Sequence, residues 1–282
     1  MAMTMMRVLA AAVFSSAGLL LYGMPVDSPQ EQAATLAQRQ AVQVTTGQDA
    51  APRSVAAASQ AAAAPVAQAA KDYWTDFRGP SRLGIYDEVP ILTSWPASGL
   101  TRLWKQPVGG GFASFTVAGG LAFTIEQRRD QEVVAAYDVA TGREKWTNGW
   151  KAGQFEGAGG DWPRATPVFD DGRVYALGAA GELRVLDALT GEVVWNKNIL
   201  TDNGAKNITW AQSASPLLVD GNVIVLPGGP AGKSVVAYDK LTGKLVWSAL
   251  DDRQAYASPI VATLAGRRQL LVVSRQRAMG SR

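Results

Sequence analysis

Asp138-Val-Ala-Thr141-Gly142-Arg-Glu-Lys-Trp146, Asp187-Ala-Leu-Thr190-Gly191-Glu-Val-Val-Trp195 and Asp239-Lys-Leu-Thr242-Gly243-Lys-Leu-Val-Trp247 align without a gap as three copies of D-x-x-T-G-x-x-x-W. The aspartates stand 49 and 52 residues apart, the length of one four-stranded antiparallel β-propeller blade. Each position has a physical task. The Asp carboxylate accepts the N–H groups of a tight turn, and the Gly takes a positive φ that a side chain disfavours. Four residues later the Trp falls on the outer strand, where a large flat ring fills the wedge between neighbouring blades.

Working outward, each turn is preceded by short runs of strand-forming residues separated by Gly and Asp turns. The second repeat reads 165–169, 173–177, 182–186 and 192–195, with Asp170-Asp171-Gly172 and Ala180-Gly181 between runs. The third follows the same order from Ala214, and the first runs from Phe112 to Trp146. A fourth begins at Ala257-Ser-Pro-Ile-Val261 and continues to Val273 without the motif. The expected fold class is all-β, a propeller of four-stranded antiparallel blades at about 111–150, 162–199 and 210–250, with a partial one at 256–274. The basic stretch 275–282 shows no strand pattern and is expected to be an unstructured tail.

Ahead of the blades the composition changes. Arg7 precedes an apolar run from Val8 to Gly23, so 1–24 is expected to be a secretory signal or, as the alternative, an uncleaved membrane anchor. Residues 25–70 are mostly Ala, Gln, Val, Ser, Thr and Pro with no aromatic residue, which suits a disordered tether. Structured sequence is expected from Asp72 to 274. The net charge is +3, too small an excess to point to nucleic acid. With no Cys and no His in the 282 residues, the chain has no disulfide, thiol nucleophile, Ser-His-Asp triad or common zinc site.

The tandem motif resembles the pyrroloquinoline-quinone (PQQ) repeat family, shared by quinoprotein alcohol dehydrogenases and by the propeller of the outer-membrane protein assembly complex. The likeness covers about Asp72 to Val273. The opening Trp74-Thr-Asp-Phe77-Arg78-Gly79-Pro80, with Trp95-Pro96 and Leu103-Trp104-Lys105, is similar to the start of family members without a separate catalytic domain. By the same likeness Leu103-Trp104 would supply the outer strand of the last blade. Propellers of this family have about seven or eight blades, whereas the sequence from Trp74 holds about four. The chain is therefore expected to be an incomplete ring from a longer protein.

The resemblance places ligands and partners where each blade's innermost strand begins. Those stretches are Asp161-Trp162-Pro163-Arg164, Trp210-Ala211-Gln212-Ser213 and Gln254-Ala255-Tyr256, beside Gly109-Gly110-Gly111-Phe112 of the first blade. Arg164 with Trp162, Trp210, Gln212 and Gln127 are the candidate cofactor-binding residues. Arginine pairs with carboxylate and tryptophan stacks, which is what a planar polycarboxylate such as PQQ, with Ca2+, requires. The bland alternative for Arg164 and Trp210 is a rim ion pair or packing, and for Glu126 and Asp161 a solvated loop carboxylate. No catalytic set and no metal ligands are assigned. Two functions follow: an exported, periplasmic or inner-membrane-anchored scaffold binding other exported or membrane proteins through its rim, or a fragment of a PQQ-dependent alcohol or sugar dehydrogenase. A sugar-binding propeller using Trp162, Trp210 and Tyr256 is a third.

Overall fold

The computed structural model describes residues 74–87, 90–152 and 163–281, all within a compact unit assigned to Pro65–Arg282. The expected signal, the tether, Asp72, Asp161 and Trp162 lie outside the described residues. Among the described residues no helix is long and apolar enough to cross a membrane.

Among the described residues fifteen strands form four antiparallel sheets. The first holds β1 (Thr116–Ala118), β2 (Leu121–Arg128), β3 (Gln131–Asp138) and β4 (Glu144–Lys151). The second holds β5 (Val168–Asp170), β6 (Arg173–Leu177), β7 (Glu182–Asp187) and β8 (Val193–Asn198). The third holds β9 (Leu217–Val219), β10 (Asn222–Val225), β11 (Val235–Asp239) and β12 (Leu245–Ala249). The fourth has three strands, β13 (Ile260–Leu264), β14 (Arg267–Val273) and β15 (Ala278–Ser281). Strand order follows chain order in every sheet, as in a propeller blade. The stretch expected to be a tail thus supplies β15, which pairs with β14 from Leu270↔Ser281 to Val273↔Ala278. Backbone pairing asks little of side-chain pattern, so Ala-Met-Gly-Ser gave no alternation to read.

The core lies between sheets. Along β6, Val174 and Ala176 pack toward Phe123, Ile125 and Val134 of the first sheet, while Tyr175 and Leu177 pack toward Val223, Val225 and Val236 of the third. Successive side chains of a strand point to opposite faces, so a sheet buried on both sides needs apolar residues at nearly every position. A third cluster joins Leu217, Ile224 and Ala237 to Val272 of the fourth sheet. The outer strands β4, β8 and β12 are half-buried or exposed along most of their length.

The three motif turns share one geometry. Asp138 Oδ1 accepts the Thr141 N–H at 2.9 Å and its hydroxyl at 2.8 Å, and Asp187 and Asp239 repeat this with Thr190 and Thr242. These bonds favour the ionised carboxylates and lower all three pKa values. Gly142, Gly191 and Gly243 sit at φ of 70°, 75° and 68°. After each turn the ladder slips by one residue opposite Ala136/Tyr137, Val185/Leu186 and Ala237/Tyr238, and such a bulge re-aims the strand that carries the Trp.

Trp146 and Trp195 each lie on the turn glycine of the next blade, whereas Trp247, expected to fill the same wedge, is 37% exposed and finds no such glycine in the fourth sheet, where a Cβ on Gly266 would meet nothing. A Cβ on Gly191 would stand 2.5 Å from Trp146, and one on Gly243 would stand 2.8 Å from Trp195. The indole N–H groups of Trp146 and Trp195 donate to Ala188 O and Lys240 O at 3.0 and 3.1 Å, in each case the carbonyl just after the turn Asp. Trp104 docks on Gly142 in the same way and donates to Val139 O at 2.8 Å. Leu103 and Trp104 pair with no strand among the described residues. The indole is held by the turn of the first blade, as Trp146 is held by the turn of the second.

At the inner ends a hydroxyl relay joins the blades. Ser114 N–H donates to Thr166 Oγ1 at 3.0 Å, Thr166 N–H to Ser215 Oγ at 2.9 Å, and Ser215 N–H to Ser258 Oγ at 2.9 Å. Substituting Gly191 with Ala is expected to cost about 2–5 kcal/mol, because left-handed strain adds to the displaced indole. Gly172, at φ 73° with open space around it, isolates the strain and is expected to cost about 1–2 kcal/mol. Urea unfolding of both variants checks the difference.

Candidate functional site

The loops leading into the inner strands carry one connected row of side chains across four blades. Phe112 of the first is 56% exposed, and its N–H donates to Pro163 O at 2.9 Å. The Arg164 guanidinium carbon lies 4.5 Å from the centre of the Phe112 ring, a cation–π distance. Arg164 Nε donates to Trp210 O at 2.9 Å, and Trp210 N–H donates to the Tyr256 hydroxyl at 3.1 Å. Trp210 and Tyr256, 49% and 38% exposed, stack at 5.5 Å with an interplanar angle of 28°. Ser213 Oγ fixes the far side by donating to Tyr256 O at 3.1 Å. The result is a rigid aromatic platform with one embedded guanidinium.

Arg164 and Trp210 are therefore brought together, and the other candidates are not part of their platform. Gln212 is buried; its amide nitrogen donates to Asn207 Oδ1 at 3.3 Å and its backbone N–H to Ala179 O at 3.0 Å. Gln127 is buried at the end of β2, where Nε2 donates to Arg129 O at 2.7 Å. Its Oε1 is buried without a partner among the described residues. Trp162 lies outside the described residues.

Glu126, read from sequence as a solvated rim carboxylate, is buried on β2. One oxygen accepts Arg128 Nε at 3.0 Å and the Tyr137 hydroxyl at 2.8 Å; the other accepts the Gly109 N–H. Burial and the neighbouring Glu126 charge push the Tyr137 phenol well above its ordinary value. Arg128 also pairs with Glu144, so this acid closes a network within the first blade.

The inward-facing surface is also occupied. Trp74 bridges Val117 of β1, Thr75 O accepts the Phe169 N–H at 2.8 Å, and Arg82 reaches the third and fourth blades. Buried Arg82 donates to Pro259 O at 2.7 Å and to Pro216 O, and pairs with Asp76 at 2.7 Å. Burial raises the Asp76 pKa, the Arg82 charge opposing it. The segment 74–84 thus laces all four inner strands together. Sequence reading missed Arg82; its partners are 134 and 177 residues away, beyond any local pattern.

PQQ and Ca2+ require convergent donors. Here Arg164 faces Phe112 and a backbone carbonyl, the amide nitrogens of Gln127 and Gln212 donate to protein partners, and Arg82 donates to carbonyls beside the inner strands. Among the described residues no three Asp or Glu side chains gather where a metal ion could be held. The described residues do not fit a planar quinone polycarboxylate with its cation.

Against known proteins, the family described as outer membrane protein assembly factor BamB, a PQQ-repeat family, matches residues 77–226 and, in an overlapping alignment, 129–281. The chain belongs to this PQQ-repeat propeller family. Solved structures similar to it include BamB from Moraxella catarrhalis, at 20% identity and TM-score 0.40, covering 62% of this chain and 46% of that one. Quinohemoprotein alcohol dehydrogenase from Comamonas testosteroni matches at 19% identity and TM-score 0.37, covering 60% and 40%. A europium-containing methanol dehydrogenase matches at 20% identity and TM-score 0.39, covering 52% and 26%. The chain thus spans between about a quarter and a half of the length of these structures. No curated protein sequence matches it significantly.

A second buried acid joins the first two blades. Glu132 accepts the Ala179 N–H at 2.8 Å and the Trp150 indole N–H at 3.1 Å, and a Cβ on Gly178 would collide with it. Burial pushes its carboxyl above the ordinary 4.5, the two hydrogen bonds opposing. A raised folded pKa means that the folded state holds the proton more tightly. The contribution is therefore fully present below about 4.5 and is lost as pH rises through the folded value. Glu132→Gln should flatten this fall, so the wild-type-minus-variant difference in unfolding free energy becomes less favourable to wild type as pH rises from 4 to 7, as pH-dependent urea titrations would measure.

Proposed function

We propose that this chain is an exported binding scaffold that engages another exported or membrane protein through the loop face carrying Phe112, Arg164, Trp210 and Tyr256. The single observation that carries this reading is the platform itself: three exposed aromatic rings and one arginine, joined across four blades by a cation–π contact, two hydrogen bonds and a ring stack. Exposed aromatic residues and arginine dominate protein-interface energetics, and a surface already ordered before contact loses little side-chain entropy on binding. Membership of the family described as an outer membrane assembly factor supports the same reading. The apolar stretch after Arg7 supports a periplasmic location, free or tethered to the inner membrane.

A photo-crosslinking side chain placed at Trp210, and separately at exposed Glu192 on a motif turn, tests this in the native periplasm. The expected result is a discrete cross-linked species from position 210 and none from 192, weakened by a second-site Arg164→Ala. Calorimetric titration with PQQ and Ca2+ forms the opposing arm. Tight, stoichiometric quinone binding without cross-linking would replace the scaffold by the dehydrogenase-fragment reading.

A further inference from the structure

Beside the platform, loops of the third and fourth blades enclose a cleft of about 710 Å3. Its walls are 204–209 from the β8–β9 connection, 228–230 from β10–β11 and 251–256 from β12–β13, with Arg275 from the β14–β15 turn. The walls are fixed to one another. Gln254 Nε2 donates to Lys206 O at 2.9 Å, and Arg275 N–H donates to Arg253 O at 3.1 Å. Gly228 and Gly229 pack so closely that a Cβ would strike Gln254 and the Asn203 carbonyl respectively. The cleft is therefore preformed.

Its charge is unbalanced. Lys206, Arg253 and Arg275 are exposed and form no ion pair among the described residues. Of the two acids in the walls, Asp252 is taken by Arg277 at 2.9 Å, and Asp251 accepts the Gly232 N–H. Three cations gathered in one concavity with a single acid outside an ion pair favour an anion from outside.

The donors present indicate which anion. The glycine-rich loop beside the cleft offers no cradle of free amides of the kind that binds phosphate: Gly228 N–H donates to Ser234 O, Gly229 N–H to Lys233 O and Gly232 N–H to Asp251. Recognition falls to guanidinium and ammonium side chains; the planar guanidinium fork matches carboxylate as well as phosphate, and the missing amide cradle favours the carboxylate. Tyr256 lines the cleft and stacks on Trp210, so the cleft opens directly onto the aromatic platform. We propose that the cleft seats an acidic segment of the partner protein, an extended stretch whose Asp or Glu carboxylates pair with Lys206, Arg253 and Arg275. This rests on the scaffold reading above.

The test is fluorescence anisotropy of a labelled hexaglutamate peptide titrated with the full chain. Saturable binding that weakens with salt is expected, because exposed charge pairs are screened. Arg253→Gln with Arg275→Gln should weaken it by about tenfold or more, while Arg143→Gln, which removes an exposed cation on the first blade's motif turn away from the cleft, should change it by less than about twofold. Far-UV circular dichroism and the urea midpoint verify that the variants fold. Equal affinity in wild type and double variant overturns the proposal, as does competition by pyrophosphate or single-stranded DNA at lower concentration than free hexaglutamate. Cross-linking from position 210 without hexaglutamate binding removes the acidic segment alone; loss of both removes the scaffold reading first.

Discussion

A flat indole laid on a residue without a side chain joins one blade to the next. Trp146 and Trp195 do this on Gly191 and Gly243, Trp104 of the leading segment docks on Gly142 in the same way, and each indole N–H is held by the carbonyl just past the turn Asp. A stacking contact alone would let the ring slide. The directed hydrogen bond adds a fixed point, and the glycine lets the ring approach to a distance at which dispersion is strongest. At the inner radius the Ser114, Thr166 and Ser215 relay sets a second fixed point at the first two junctions, and its last step, Ser215 to Ser258, joins the third sheet to the fourth. Two anchors at different radii define an angle, which is how like sheets are kept in a fan instead of a flat stack.

Because both faces of the middle strands are committed to that packing, function is left to the loops and the outer surface. Even the inner surface is engaged, since Trp74 to Arg82 runs across it and the buried guanidinium satisfies carbonyls of two blades. An unpaired arginine there would be costly; Asp76 and those carbonyls offset the desolvation. The loop face differs. Its side chains are ordered by one another and still exposed, a combination that suits recognition better than core packing.

Polar groups buried at blade junctions follow the same economy of partners. Glu132 reaches across to the second blade for the Ala179 amide, and Arg184 returns from that blade to lie 4.6 Å from the Trp150 ring centre and to donate to Asn148 Oδ1 at 2.6 Å. Such pairs fix the rotation of one sheet on another more narrowly than apolar contact does, because hydrogen bonds are directional. They also place an ionisable group whose pKa is raised by burial, Glu132, at the first junction.

The nine-residue motif determined the most that sequence alone could determine: the turn, the positive φ of its glycine, the blade length and the outward Trp all depend on interactions within a few residues. The repeat of about 50 residues then fixed the architecture. It also placed Arg164 and Trp210 on one rim, since equivalent positions of neighbouring blades must lie side by side. What no local pattern carried was the direction of each polar side chain once the blades docked. Gln127 and Gln212 turn to protein groups, Glu126 is buried, the residues after Gln276 find an open strand edge, and Arg82 meets carbonyls far along the chain. The rim cations of the cleft come from three separate loops whose spacing exists only after docking. Turn chemistry is set by covalent neighbours, whereas contacts between blades are set by which surfaces the indole and hydroxyl anchors bring within reach. The sequence therefore decided what each blade is, and the tertiary structure alone decided what the blades present together.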